Sequence, residues 1–296
     1  MMVAVASGKG GTGKTTVAVS LALALPDQAP VFVDCDVEEP NAALFLEPQI
    51  EERREVGQLI PRIDFDLCTY CGRCAQVCAY HAIAVPGENV LVFSELCHGC
   101  GSCALNCPSG AISETLHVMG VLERGHSGPI AFAHGILNVG EAMAGPVIRQ
   151  LKKWAIPQPP DGRFIVLDAP PGASCPVVET MRGADFVLLV TEPTPFGLHD
   201  LRLAVQVARD ELHKPVGVIV NRVGAGDDGV ERYCVAEHIP ILMRIPLDRR
   251  IAVAYSEGIA LTEALPEYRP KFQELFARTR NLVEADARRR RRDDVA

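Results

Sequence analysis

Hydrophobic and polar positions alternate in blocks that predict buried strands and amphipathic helices. Short runs of Val, Ile, Leu and Phe, free of charge until their last residue, are typical of strands covered on both faces. These runs occupy residues 2–6, 31–34, 164–168, 186–190 and 216–220. Longer stretches predict helices over residues 14–25, 141–154, 176–183, 197–211 and 269–285. This succession predicts an α/β fold with a mostly parallel sheet.

The pattern changes between residues 61 and 112, where cysteine and glycine replace the apolar runs. The segment "CTYCGRCAQVCAYHAI" (68–83) matches "CHGCGSCALNCPSGAI" (97–112) at a constant offset of 29 residues, with all four cysteines aligned. An internal repeat indicates two copies of one structural unit. We therefore predict a discontinuous α/β domain over residues 1–60 and 113–285, an inserted domain over residues 61–112, and a basic, disordered tail over residues 286–296.

Composition narrows the classes of function. The chain of 296 residues suits one large domain and one small domain, and its net charge of −8 argues against a nucleic-acid partner. Neither a leader peptide nor an apolar stretch long enough to span a bilayer is visible, which predicts a cytoplasmic protein without a stable membrane anchor. Eight of the eleven cysteines lie within residues 68–107. In a reducing compartment such clustering indicates metal binding rather than disulfides.

A glycine-rich loop follows the first predicted strand and precedes the first predicted helix. Its sequence "GKGGTGKT" (8–15) fits the phosphate-binding pattern G-x4-G-K-T. Backbone N–H groups of such a loop turn towards phosphate oxygens, and the helix N-terminus adds partial positive charge. We expect Lys14 to reach the β- and γ-phosphates of ATP and Thr15 to bind Mg²⁺. The predicted nucleotide-binding residues of this loop are Gly8, Gly10, Gly11, Thr12, Gly13, Lys14, Thr15 and Thr16.

The two cysteine runs have the spacing C-x2-C-x2-C-x3-C, which is typical of bacterial ferredoxins. In that pattern the first three cysteines of a run bind one [4Fe–4S] cluster, and the fourth binds the other. We therefore predict one cluster on Cys68, Cys71, Cys74 and Cys107, and a second on Cys97, Cys100, Cys103 and Cys78. Zinc is the alternative, although zinc ribbons use two C-x2-C pairs rather than two such quartets. Ala79 stands where the pattern has proline after the fourth cysteine, and this change removes no ligand.

Several motifs together resemble those of the MinD superfamily of P-loop ATPases, in the form that carries an inserted two-cluster ferredoxin domain. The resemblance rests on "SGKGGTGKTT", "DCDVEEPN", the paired cysteine runs, "DAPPGASCPVVET" and "TEPTPFGLHDL". It implies a doubly wound P-loop sheet with a small α+β insert, and kinship with the nitrogenase iron protein, Mrp-type ATPases and ParA. It also implies that Lys9 reaches across a homodimer to the partner's ATP, where an added cation stabilises the leaving γ-phosphoryl group.

Carboxylates and an amide at strand ends acquire roles through the same resemblance. Asp34 and Asp36 match the first switch region, where we assign Asp36 to positioning the attacking water and Asp34 to the metal's outer shell, without a firm division between them. Asp168 matches the residue that holds Mg²⁺. The resemblance further implies that the Gly172 N–H senses the γ-phosphate, that Asn221, followed by Arg222, reads adenine, and that residues 245–252 close over the base.

Three cysteines and two histidines are left over. Cys35 and Cys234 are expected to be small buried apolar side chains. Cys175 lies seven residues after Asp168, as does a cluster-ligating cysteine of the nitrogenase iron protein. The second cysteine that a shared cluster would need is absent from residues 138–145, so the role of Cys175 stays open. His81 and His98 flank ligands and are expected to lie beside the clusters rather than to bind iron.

Three hypotheses of function remain. The leading one is a Mg²⁺-dependent ATPase, slow without its partner, in which ATP-dependent dimerisation is coupled to electron transfer through two [4Fe–4S] clusters to an unknown redox protein. The second is an iron–sulfur carrier or assembly ATPase, against which the firm grip of ferredoxin cages argues. The third is a spatial organiser like MinD or ParA with structural clusters, although the tail "EADARRRRRDDVA" lacks the apolar face of a membrane-binding helix.

Overall fold

A computed structural model describes residues 1–157 and 162–293, and these residues form two compact units. The first unit comprises Met1–Arg53, Leu122–Ile136 and Ile148–Ala296, and the second comprises Arg54–Val121 and Leu137–Val147. The domain boundaries given above remain predictions. Within the described ranges, no helix is long and apolar enough to cross a bilayer.

Strands and helices of the two units follow one another along the chain. The strands are β1 (Met2–Ser7), β2 (Val31–Asp34), β3 (Gln49–Ile63), β4 (Ile83–Ala84), β5 (Leu91–Val92), β6 (Ile112–Ser127), β7 (Ile130–Leu137), β8 (Ile165–Pro171), β9 (Phe186–Thr191), β10 (Val216–Val223) and β11 (Ile241–Pro246). The helices are α1 (Lys14–Leu23), α2 (Ala43–Leu46), α3 (Arg73–Val77), α4 (Ser102–Leu105), α5 (Gly145–Ala155), α6 (Cys175–Met181), α7 (Pro195–Val205), α8 (Gly229–Ala236), α9 (Arg249–Ser256), α10 (Leu261–Ala264) and α11 (Arg269–Asp293). A π-helical turn, Gln206–Glu211, continues α7.

The main sheet has the strand order β11-β10-β9-β1-β8-β2-β7-β6-β3. Every pairing from β11 to β7 is parallel, which confirms the mostly parallel α/β fold. The central strands β1, β2, β8 and β9 are almost entirely buried, as their uninterrupted apolar sequences require. Their carboxyl ends converge where the chain order changes direction beside β1, which is the usual position of a ligand site in an open α/β sheet.

The hydrophobic pattern of the sequence did not predict the strands β3, β6 and β7. Only residues 128 and 129 join β6 to β7, so those two strands run antiparallel. The sequence of β3, "QIEERREVGQLIPRI", is largely charged and its first seven residues are exposed. Because periodicity identifies strands by their buried positions, an exposed, charged strand of this kind gives no recognisable pattern.

The second unit contains a two-stranded antiparallel sheet and the short helices that follow the cysteine pairs. Ile83 pairs with Val92 and Ala84 with Leu91. Its core is small: Ile83, Val90 and Cys103 are buried together, and Cys68 and Cys74 pack partly against them. Such a core contributes little hydrophobic stabilisation by itself, which is typical of small domains that depend on a metal or disulfides.

The C-terminal helix α11 corrects the expectation of a disordered tail from residue 286. Phe272 and Leu275 are buried in the main core, and the helix continues to Asp293. Ion pairs between Glu284 and Arg288 and between Asp286 and Arg290 join successive turns of its last part. Such pairs at a spacing of four residues stabilise an exposed helix, and a charge-rich composition alone does not show them. Residues 294–296 lie outside the described part of the chain.

One lysine of α5 caps the helix that follows the β8 loop. Its Nζ donates hydrogen bonds to the carbonyl oxygens of Glu179, Thr180 and Arg182 at 2.7, 2.8 and 2.6 Å. These carbonyls lie at the C-terminal end of α6, where a cation also interacts favourably with the helix dipole. Burial lowers the pKa of Lys152, because it disfavours the charged ammonium. The three hydrogen bonds to carbonyl oxygens compensate for that effect.

We expect Lys152→Met to lower the free energy of unfolding by about 2 kcal/mol, because three carbonyls lose a charged donor. Chemical denaturation monitored by circular dichroism measures this change. Lys153→Met is the matched control, because Lys153 is exposed whereas Lys152 is half-buried. Its effect on the free energy of unfolding should stay within ~0.5 kcal/mol. Equal effects of the two variants would contradict the capping role.

Candidate functional site

The glycine-rich loop packs so closely that two of its glycines admit no side chain. A Cβ at Gly8 would lie 2.3 Å from the Asp200 carbonyl oxygen, and one at Gly13 would lie 2.5 Å from Nδ2 of Asn221. Gly11 and Gly13 also have φ angles of +74° and +90°, which other residues rarely adopt. The loop is therefore held open in the curved shape that exposes its N–H groups to an anion.

This loop forms one wall of a cavity of about 280 Å³. Among the residues predicted to bind nucleotide, the cavity is lined by Gly11, Thr12, Gly13, Lys14, Thr15, Thr16, Asn221 and Arg222. The opposite wall includes Ile245–Asp248, Ile251 and Ala252, which belong to the stretch assigned to the base, together with Tyr255. Gly8, Lys9, Gly10, Asp34, Asp36, Asp168 and Gly172 do not line it. The cavity thus combines a phosphate-binding end with an apolar wall suited to a base.

Lys14 lies among three carboxylates, one in β8 and two at or just after the carboxyl end of β2. Its Nζ is 3.5 Å from Oδ2 of Asp36, and both side chains are about nine-tenths buried. Burial disfavours the Lys14 charge, but the nearby carboxylates of Asp168, Asp36 and Asp34 outweigh that effect and raise its pKa. Lys14 is therefore a fixed cation in an acidic surrounding, ready to contact a polyphosphate.

Asp168 has the chemistry expected of a magnesium residue. It is fully buried, and neither of its carboxylate oxygens has a hydrogen-bond partner within the described residues. Burial raises its pKa to about 6, partly opposed by Lys14 and by the nearby Thr15 hydroxyl. An orphaned buried carboxylate beside a threonine of the phosphate loop fits a hydrated Mg²⁺, which prefers oxygen ligands and keeps several waters.

Asp34 and Asp36 have different surroundings. Both oxygens of Asp34 accept backbone hydrogen bonds, from the N–H of Asp36 at 3.1 Å and of Ala42 at 3.0 Å, so this buried residue fixes the loop after β2. Burial and the neighbouring Asp168 raise the pKa of Asp34. Burial also raises the pKa of Asp36, although Lys14 opposes the shift. The metal role of Asp34 and the water-positioning role of Asp36 stay predictions.

Gly172 and Asn221, both predicted to contact the nucleotide, form hydrogen bonds to β1 and to the phosphate loop respectively. The N–H of Gly172 donates to the Ser7 carbonyl at 3.0 Å. The Asn221 amide donates from Nδ2 to the Thr12 carbonyl at 2.7 Å, and its Oδ1 accepts from the Arg222 N–H at 2.9 Å. An amide has a second N–H and a second lone pair, so these bonds leave Asn221 capable of contacting a base edge.

Glu192 is a site residue for which the sequence suggested no role. It directly follows β9, is 7% exposed, and accepts a hydrogen bond from Lys9 Nζ at 2.9 Å. Its other oxygen accepts one from the Arg222 guanidinium. Lys9 therefore has a partner within its own chain, and the predicted contact across a dimer would replace it. The rule that picked out Asp34 and Asp168, a carboxylate at the end of a buried strand, also applies to Glu192.

The two cysteine quartets line two separate cavities in the second unit. The Cys68 cavity is lined by Cys68, Cys71, Cys74 and Cys107. The Cys97 cavity is lined by Cys97, Cys100, Cys103 and Cys78. The fold thus groups three cysteines of each run with the fourth cysteine of the other run, as the ferredoxin spacing predicts. In each cavity the four thiols surround a space rather than a single point. This arrangement fits a cubane, in which each thiolate binds a different iron atom.

Within residues 1–157 and 162–293, no three His, Cys, Asp or Glu side chains lie close enough together to hold a single metal ion. Hydrogen-bonding groups lie beside the sulfurs at both cysteine cavities. The Ala82 N–H lies 3.2 Å from Cys78 Sγ, and the Gly99 N–H lies 3.4 Å from Cys97 Sγ. Hydroxyls of Ser102 and Ser109 lie 3.5 and 3.7 Å from the sulfurs of Cys100 and Cys107. Cluster loading itself remains a prediction.

Cys35, Cys175, Cys234 and His98 have different surroundings, and His81 lines neither cysteine cavity. Cys35 and Cys234 are buried, and burial raises the pKa of Cys35 to about 12 and that of Cys234 to about 11. Cys175 is exposed at the start of α6. His98 lines the Cys97 cavity and stacks on Tyr80 with ring centroids 3.6 Å apart.

Residues 3–261 match the family described as the CobQ/CobB/MinD/ParA nucleotide binding domain. The chain belongs to this family. An uncharacterised protein of Methanocaldococcus jannaschii is 30% identical over 273 residues, which cover 87% of this chain and 90% of the relative. A homologue of the cytosolic Fe–S cluster assembly factor Nubp2 from Drosophila pseudoobscura pseudoobscura is 25% identical, with 95% of this chain and 96% of the relative covered.

Solved structures of similar fold include members of the same family. The septum site-determining protein MinD of Pyrococcus horikoshii, complexed with Mg-ADP, has a TM-score of 0.55 at 20% identity, with 93% of both chains covered. MinD of Pyrococcus furiosus has a TM-score of 0.55 at 21% identity, with 93% of this chain and 95% of the other covered. These likenesses confirm the P-loop fold of the MinD and ParA type predicted from the motifs.

The raised pKa of Asp168 predicts a pH dependence of stability in the nucleotide-free protein. Its folded-state pKa of about 6 exceeds the ordinary value of 3.8. The native state therefore holds a proton that the unfolded chain has lost, and the stabilising contribution disappears as pH rises through about 6. The melting temperature of Asp168→Asn, relative to that of the native protein, should therefore rise as pH increases from about 4 to about 7.

Thermal denaturation across this pH range without Mg²⁺ or nucleotide measures the difference. Asp27→Asn is the control, because Asp27 is exposed and lies outside the group of buried carboxylates. A difference for Asp168→Asn that does not change with pH would contradict the raised pKa.

Proposed function

We propose that this protein is a Mg²⁺-dependent ATPase in which nucleotide-dependent dimerisation is coupled to electron transfer through two [4Fe–4S] clusters. The observation that carries the proposal is the presence, in one chain, of a phosphate-binding cavity and two cavities each lined by a complete cysteine quartet. Cysteine ligation in ferredoxin-type cages supplies one-electron carriers of low potential.

The residues of the nucleotide site have roles that follow from their positions. Lys14 and the N–H groups of the loop bind phosphates, and Thr15 and Asp168 bind Mg²⁺ directly or through water. Asp36, 3.5 Å from Lys14, is placed to orient a water near the γ-phosphate. Lys9 leaves Glu192 and contacts the second copy's nucleotide in the dimer, so hydrolysis depends on association.

The order of the segments in the chain supports coupling. The cysteine module begins after the Asp34–Asp36 loop and ends before Asp168, so both of its connections lead to segments that respond to the γ-phosphate. Loops ordered by a γ-phosphate and its Mg²⁺ are a common form of two-state switch. The physiological acceptor of electrons is a protein outside this chain.

The test is anaerobic. Purified protein with about eight iron atoms per chain, as two [4Fe–4S] cages require, is titrated by EPR-monitored reduction with MgADP and with a non-hydrolysable MgATP analogue. We expect the analogue to shift at least one reduction potential and Lys14→Ala to abolish the shift. Potentials that are identical with both nucleotides would refute the coupling.

A second candidate, an iron–sulfur carrier or assembly ATPase, is supported by the similarity to Nubp2 homologues and by the exposure of Cys71 and Cys100. Exposed thiolates exchange ligands more readily than buried ones. Anaerobic mixing with an apo-acceptor protein distinguishes the two: rapid loss of iron from this chain to the acceptor favours the carrier, and retention favours electron transfer.

Lys9→Ala should lower kcat for ATP hydrolysis by about 10²-fold or more and leave the Kd for MgADP within about threefold, because the lost cation acts on the transition state across the dimer. Steady-state phosphate release and calorimetry measure the two quantities. Lys153→Ala removes an exposed lysine elsewhere and should change neither. An equal loss of MgADP affinity would instead place Lys9 on its own chain's nucleotide.

A further inference from the structure

The internal repeat allows the two cysteine cavities to be compared position by position. At the constant offset of 29 residues, Arg73 corresponds to Ser102 and Val85 corresponds to Glu114. Arg73 and Val85 line the Cys68 cavity, whereas Ser102 and Glu114 line the Cys97 cavity. The first pair of equivalent positions therefore places a cation at the Cys68 cavity alone, and the second pair places an anion at the Cys97 cavity alone.

The Glu114 carboxylate lies directly over the loop between Cys100 and Cys103. A Cβ built at Gly101, in the middle of that loop, would lie 3.6 Å from Oε1 and 3.8 Å from Oε2 of Glu114. At the equivalent Gly72 of the first repeat, nothing lies within 4 Å of such a Cβ. The carboxylate is thus a feature of the Cys97 cavity alone.

Other influences on the sulfurs are similar at the two cavities. Each has one serine hydroxyl beside a sulfur, Ser102 at Cys100 and Ser109 at Cys107. Each also has backbone N–H donors, from Ala82 and Gly99 at the Cys97 cavity and from Ala111 at the Cys68 cavity. His98 lines the Cys97 cavity where the first repeat has Thr69, and Arg73 and Glu114 are the guanidinium and carboxylate groups by which the two linings differ.

Reduction adds one negative charge to a cluster, so a neighbouring cation favours it and a neighbouring carboxylate opposes it. We propose that Arg73 and Glu114 give the two clusters unequal reduction potentials, so that the cluster of the Cys68 cavity is reduced first. The inference rests on the proposed function, because it requires both clusters to be present. Arg73 and Glu114 thereby determine which cluster holds the electron in the half-reduced protein.

The experiment is a dithionite titration of the full chain, poised with redox mediators and followed by EPR, with iron quantified first. The native protein should show two separate one-electron steps. Glu114→Gln should raise only the lower potential, and Arg73→Gln should lower only the higher one. We expect about a tenfold change in the ratio of reduced to oxidised cluster for each, which is ~59 mV for one electron.

Two control variants test whether the effect is local. Glu88→Gln and Arg62→Gln remove exposed charges of the same unit that line neither cavity, and both potentials should stay unchanged. The double variant Arg73→Gln/Glu114→Gln should bring the two steps together.

The outcomes separate this inference from the proposed function. With about eight iron atoms per chain, a single two-electron-equivalent step in the native protein, or a shift of both steps in each variant, overturns the inference and leaves the proposed function standing. Absence of iron overturns both. A potential that responds to nucleotide but not to either substitution also refutes the roles of Arg73 and Glu114.

Discussion

The Lys14 ammonium lies among the carboxylates of Asp34, Asp36 and Asp168, and the nucleotide site depends on this arrangement of buried charges. Burial in a low-dielectric interior disfavours the charged forms of these acids, and neighbouring carboxylates add repulsion, as the raised pKa values of Asp34 and Asp168 indicate. Lys14 is the cation that opposes the raised pKa values of Asp168 and Asp36. Under the proposed function, Mg²⁺ would supply further positive charge beside Asp168, and a triphosphate would supply the matching anion at Lys14.

The loop that carries Lys14 can meet this requirement because the surrounding segments fix its shape. Asn221 holds the Thr12 carbonyl, and backbone at Asp200 leaves no space for a side chain at Gly8. Glu192 connects Lys9 with Arg222. These contacts join the first strand's loop to the ends of β9 and β10.

The cysteine module is stabilised in a different way from the nucleotide site. Its apolar core is small, and its order depends on short local turns, on glycines and on the approach of one repeat to the other. Cluster binding in such a module would contribute to folding free energy, because the ligands are brought together only in the folded state. The repeat also supplies an internal comparison, in which equivalent positions differ in charge while the cysteines are the same.

The sequence by itself determined the features that depend on local spacing. The glycine pattern of the phosphate loop, the apolar strands β1, β2, β8, β9 and β10, and the grouping of the cysteines into two quartets all follow from short-range steric and ligand constraints. The family assignment followed from those same motifs. The exposed strand β3 and the helical end of α11 escaped prediction, because their stability comes from hydrogen bonds and ion pairs rather than from an apolar face.

Only the tertiary structure decided which distant residues meet. The bond between Lys9 and Glu192 joins positions 183 residues apart, and that between Asn221 and Thr12 joins positions 209 residues apart. The position of Glu114 over Gly101 likewise depends on how one strand returns past the second repeat. Periodicity and spacing report neighbours along the chain, whereas charge compensation is set by neighbours in space. The roles of Glu192, Arg73 and Glu114 could therefore be inferred only from the folded chain.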